Sequence, residues 1–276
     1  MKTTFSKLYT EFTESEQTSG MVLIAATIVS IAIANSIWGA AYQGFWQMDV
    51  GANIAGLHLK HNIGHWVNDG LMAIFFLLIG LEIEREIYKG ELSDLKSASL
   101  PIAAAIGGMF LPALLHFYFN RGTPTQDGFG IPMATDIAFA LGVLALLGKR
   151  VPVTLKIFLT ALAIIDDLGA ILVIALFYVG DFSLAYFGAS MAIFALLLII
   201  NRMGVTRVWL YLCLGVVMWY CMLESGVHAT LSGVLLAFAI PFGNGDERSP
   251  SYNLQHLLHK PVAFIIMPIF ALANTG

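Results

Sequence analysis

The sequence predicts an all-α polytopic membrane protein with about nine transmembrane helices, and three observations predict it. Apolar residues make up 58% of the 276 residues and charged ones only 12%, against about a quarter charged in soluble domains; mean hydropathy is +0.79. The apolar residues gather into stretches close to the roughly 20 that a helix needs to cross lipid with its backbone polar groups satisfied internally. All 14 lysines and arginines fall where alternating spans place them. The formal charge of −4, without a basic tract, excludes nucleic acid as a partner. Cys213 and Cys221 stand in one apolar stretch, a spacing that suits packing rather than a disulfide framework or a metal site.

In chain order, residues 1–20 form a polar cytoplasmic N-terminal segment and 21–276 a helical bundle, one transmembrane domain. The expected spans are 21–41, 63–83, 98–119, 130–148, 153–179, 183–201, 206–222, 226–241 and 259–274. The first is too long for a signal-peptide core and is read as a retained helix. With the N-terminus cytoplasmic, only Lys60 and Arg121 lie outside, which is the bias that orients membrane proteins. An odd number of spans puts the C-terminus outside. The chain stops as the ninth span ends, without a polar tail, and reads as an interrupted protein.

The stretch ALAIIDDLGAIL, residues 161–172, places Asp166 and Asp167 side by side in an apolar run. A carboxylate at mid-span costs about 2.5–3.5 kcal/mol on insertion scales, so such residues are functional candidates by default. Their alternative is an interfacial kink or a pairing with a lysine of another helix. The stretch GFGIPMATDIAFALG, residues 128–142, holds Pro132, Thr135 and Asp136 after Gly128 and Gly130. Proline removes a donor and glycine loosens the backbone, so the helix should break there. Freed carbonyls, a hydroxyl and a carboxylate are hard oxygen ligands for a small cation. The alternative is a proline-started helix with an aspartate cap. The basic loop LGKRVPVT makes these two spans antiparallel neighbours and sets Asp136 and Asp166 at comparable depth. Crowded carboxylates that exchange protons for Na+ are a sufficient recipe for antiport.

Asp69 precedes an apolar run ending in Glu82, Glu84, Arg85, Glu86 and Lys89, a charged cytoplasmic rim that can also draw cations inward. His228, in ESGVHATLSG, and His256 and His259 can report pH or simply pack. His58, His61 and His65 have helical spacing, but no structural metal is expected there. Ala103, Gly107 and Gly108, and Ser225, Gly226, Ala229 and Gly233, are small residues suited to close helix packing.

Together, ATDIAFALGVLALLGKRVP, LKIFLTALAIIDDLGAILVIALFY, NDGLMAIFFLLIGLEIERE and SGVHATLSGV resemble the NhaA family of bacterial sodium/proton antiporters over essentially the whole chain. This family is itself among the known cases of inverted repeats and broken helices, so the break and the resemblance are not independent. The resemblance implies an NhaA-like fold and a single transporter domain in the bacterial cytoplasmic membrane. Its implied activity is exchange of Na+ or Li+ for H+, activated at alkaline pH, with no cofactor and no enzymatic reaction. It matches Asp166 and Asp167 to the cation and proton carboxylates, Thr135 and Asp136 to the unwound segment, and Asp69, Glu82, His228 and His256 to positions tied to activity, pH response or the cytoplasmic funnel. The lipid bilayer is a partner, and a homodimer is left open. Gln255 stands where the family often has an acidic residue. The last three family helices are missing, one bearing a lysine that pairs with a site aspartate. A truncated, non-transporting member is therefore a rival. A second rival, an intramembrane aspartyl protease, needs a Gly-x-Gly-Asp motif, which neither Asp136 nor Asp166 has before it.

Overall fold

The structure, a computed structural model, describes residues 2–52, 59–93, 95–133, 151–178 and 182–276. It is mostly helical. In chain order come α1 (Lys2–Ala34), α2 (Gly39–Trp46), α3 (Ile63–Lys89), α4 (Leu95–Phe119), α5 (Val153–Phe177), α6 (Leu184–Arg202), α7 (Val208–Glu224), α8 (Leu231–Ala239) and α9 (Pro250–Asn274). A two-residue hairpin, Asp49–Val50 against His61–Asn62, precedes α3. Lys60 and Asp49 form an ion pair across it at 3.2 Å.

Among the described residues, four helices are long and apolar enough to cross a membrane, or five if one bent pair counts as a span. Their surfaces invert the soluble pattern. Only 17% of the apolar window of α4 and 11% of that of α6 is buried, and Phe110, Phe119, Leu196 and Ile199 face outward. Apolar side chains so placed are solvated by lipid tails. The chain is therefore membrane-embedded.

Three expected spans differ from the observed elements. The stretch at 21–41 bends by 118° between Thr18–Ala34 and Gly39–Trp46. Asn35 donates to the Ile31 carbonyl at 2.8 Å and Ser36 to the Ile33 carbonyl at 2.7 Å, and such side-chain bonds give the backbone an alternative to the helical ladder. The stretch at 226–241 is helical only over the nine residues of α8, roughly 14 Å at 1.5 Å per residue. Gly226, with φ of 79°, delays its start. Ile240, extended before Pro241, ends it, as a residue preceding proline tends to. The stretch at 259–274 is the second half of a longer α9, which passes through a π turn at Val262–Ile266 just after Pro261.

The core forms where α8 lies on α3. A Cβ on Gly233 would collide with the Ala73 carbonyl oxygen, and one on Gly80 would sit 2.6 Å from the Ala237 methyl. Gly233 acts as the close-packing residue that its size suggests; Gly107 and Gly108 meet no described atom within 4 Å. Cys213 is exposed rather than packed. Leu77, Leu81, Leu236, Ala237 and Ile240 join Tyr211 and Met218 of α7 and Leu254 of α9 in one buried cluster.

Candidate cation and proton site

The site is built on α5, 25 residues long, in which alanine, leucine and isoleucine flank the acidic pair. Ile164, Leu168 and Ile171 recur at helical spacing and pack with Ile83 of α3 and Val234 of α8. Each residue turns the helix by about 100°, so Asp167 stands on the flank of that stripe and Asp166 on the opposite face. Asp166 is buried, 4% exposed, and Asp167 is half-buried. Neither is without a partner. The bare Gly169 lets Met109 of α4 lie against the backbone next to them; a Cβ there would come within 2.5 Å of its methyl.

Asp166 shares its face with Ala170 and Val173, one and two turns on, which line a cavity of about 610 Å³. Its wall also holds Asn68, Asp69, Tyr178, His228, Thr230 and Asn274. The structure thus brings Asp69 and His228 together, although 159 positions separate them in sequence. Asp69 sits in a π turn, Trp66–Leu71, a distortion often found at functional sites. Its carboxylate lies 3.3 Å from His65 Nδ1, and its backbone carbonyl accepts from Trp219 Nε1 at 2.7 Å. His61 stacks on His65; His58 lies outside the described residues.

The segment Gln126–Met133 is a 3-10 turn containing Pro132, the described part of the break expected at 128–142. Tyr178, at the end of α5, clamps it: its hydroxyl donates to the Asp127 carbonyl at 2.6 Å and accepts from Gly130 N–H at 3.1 Å. Thr135 and Asp136 lie outside the described residues.

At the other end of α3, Glu82 is half-buried and hydrogen-bonded by the Gln255 side chain. Arg85 pairs with Glu86 at 3.5 Å. His256 is exposed, with its ring stacked on Tyr252 and its Nδ1 3.1 Å from the Tyr252 carbonyl. Asp69 and Glu82 are thirteen residues apart, about 20 Å along a helix, so Asp69, Glu82, His228 and His256 do not form one cluster. They divide between the two ends of the molecule, with Asp166 between.

Tyr178, Trp219 and the Asn274–Asn68 bond at 2.8 Å were not legible as site residues, because each contacts a partner on another helix and no local pattern marks it. The one Gly-x-Gly-Asp run, Gly243 to Asp246, lies in the turn between α8 and α9, where both glycines have φ of 59°. It is outside any span and gives the protease reading no support.

The family model described as Na+/H+ antiporter 1 matches residues 10–276. Similar proteins include the Na+/H+ antiporter NhaA of Dechloromonas aromatica, 62% identical over 100% of this chain and 69% of the relative. The protein of that name from Cytophaga hutchinsonii is 61% identical over 98% of this chain and 68% of its own length. That of Escherichia coli is 51% identical over 96% and 69%. An acidic pair in mid-helix, a cavity on its face that holds Asp69 and His228, and a match along nearly the whole chain agree: the chain belongs to the Na+/H+ antiporter 1 family.

Proposed function

We propose that this chain exchanges Na+ for H+ across the bacterial cytoplasmic membrane, extruding sodium as a secondary active transporter rather than an enzyme. The observation that carries the reading is Asp166, 4% exposed, beside Asp167 in the middle of an apolar helix of this family. Asp166 and Asp167 hold the cation and the protons in turn, since both are the same hard-acid cargo to a carboxylate. Na+ entering from one side displaces their protons; reprotonation from the other side releases it. Thr135 and Asp136, within the break expected at 128–142, complete the ligand set. Asp69 and His228 act from the outer cavity, and Glu82 and His256 from the cytoplasmic funnel, to make the exchange depend on pH.

The finer architecture we infer is an NhaA-like fold of about nine spans in one domain, with residues 1–20 cytoplasmic and the helices of 98–179 forming one of two inverted repeats. Li+ is carried as well as Na+, and the working assembly in the bilayer is a homodimer.

In everted vesicles carrying this chain, from a host without its own exchangers, Na+ is expected to collapse a preformed pH gradient. Asp166→Asn or Asp167→Asn is expected to abolish the response. Retained exchange in both variants would assign the cation elsewhere, and no response from the inserted parent chain would rule out exchange by it.

A further inference from the structure

Glu84 is 4% exposed, and among the described residues its Oε2 has no hydrogen-bond partner. Glu82 and Glu86 differ from it in position: residues two apart on a helix do not face each other, Glu82 meets the Gln255 side chain and Glu86 pairs with Arg85. The packing of α3 on α8 fixes where Glu84 sits. Gly233 lies against Ala73 and Leu77, and Gly80 against Val234 and Ala237; further along, the rings of Tyr88 and Phe242 meet at 5.0 Å. The two chains run parallel in this contact. Glu84, between Gly80 and Tyr88, therefore lies level with Ile240 and Pro241, where α8 has just ended.

α8 itself brings no titratable group to this level. The elements packed around it bring Asp246 in the following turn and His256 and His259 on α9; Arg85, Glu86 and Lys89 share its helix, and Asp166 and Asp167 lie on α5. Among the described residues Glu84 forms no ion pair. An isolated carboxylate buried without a partner is strongly disfavoured and is relieved by a proton or a cation. Carbonyls at a helix end carry partial negative charge and add to the pull on a cation.

Resting on the exchange reading above, we propose that Glu84 is a second proton- and cation-exchanging site, on the cytoplasmic side of Asp166 and Asp167. In the closed packing described here its carboxylic acid keeps the proton. When the end of α8 moves away, a monovalent cation replaces that proton, which leaves to the cytoplasmic water, and the charge stays balanced.

Difference infrared spectra of the purified full chain in lipid, recorded with and without Na+, test this directly. A protonated-carboxyl band that falls on Na+ addition and is missing from Glu84→Gln is the expected result. Glu84→Met, apolar and of similar volume, is the second variant and must lose the same band. A band that persists in either variant, or that Na+ leaves unchanged, would overturn the proposal. In vesicles, Glu84→Gln is expected to raise the Na+ KM by about tenfold, the scale of one charged ligand lost, with exchange retained; an unchanged KM would count against the site. Exchange absent from the parent chain, with the Na+-sensitive band present, would instead remove the exchange reading and leave Glu84 as a cation site.

Discussion

Gly233 rests its bare α-carbon on the backbone of α3, and a Cβ there would come within 2.9 Å of Leu77 N as well as striking the Ala73 carbonyl. Backbone cannot yield as the tip of a side chain can. Gly233→Val is therefore expected to destabilise the bundle by about 1–3 kcal/mol, measured as a lower Tm in detergent, whereas Gly107→Ala, with no described atom within 4 Å, should leave Tm unchanged. Tyr178 offers a different residue-scale test. Its hydroxyl is shared by Asp127 and Gly130, so Tyr178→Phe leaves two backbone groups to find other partners, at about 1–3 kcal/mol where they stay buried. Hydrogen exchange across Gln126–Met133 should quicken, and, on the ligand role proposed for Thr135 and Asp136, the Na+ KM should rise.

The elements of this protein are interrupted where their side chains or backbone demand it. α3 carries one π turn at Asp69 and α9 another after Pro261; proline lacks the N–H and crowds the preceding turn, which forces such a shift of the ladder. The turn between α8 and α9 is held by Asp246. The Arg248 backbone N–H and then the Ser249 hydroxyl, each donating at 3.1 Å, keep its carboxyl below the ordinary carboxylate range. A depressed folded-state value means the contribution is full above the ordinary pKa and is lost as pH falls through the lowered one. The amides of 246–251 should lose hydrogen-exchange protection in that acid window, and Asp246→Ala should lack the protection at every pH.

For the whole molecule, the arrangement is bipolar: Asp69 and His228 line a cavity at one end, Glu82 and Gln255 meet at the other, and the buried Asp166 stands between. On the orientation proposed from the charge bias, the first end faces outside and the second the cytoplasm. With Cys213 and Cys221 replaced, a cysteine at Arg121 should react with a membrane-impermeant maleimide added to intact cells, and one at Arg207 only in everted vesicles; the reverse pattern would invert the topology. The sequence by itself determined that the chain lives in a membrane, and it is the source of the proposed loop orientation and of Asp166 and Asp167 as site candidates, because hydropathy, lysine and arginine placement and mid-span carboxylates are local properties of a segment. It did not determine the bend after Ala34, the shortness of α8, the seating of Gly80 on Ala237, or the joining of Asp69 and His228 in one cavity. Helices such as α4 and α6 are apolar all round, so no amphipathic stripe says which face is packed and which is lipid-facing. Only the tertiary packing of one helix against another chooses that face, and with it the residues that share a site.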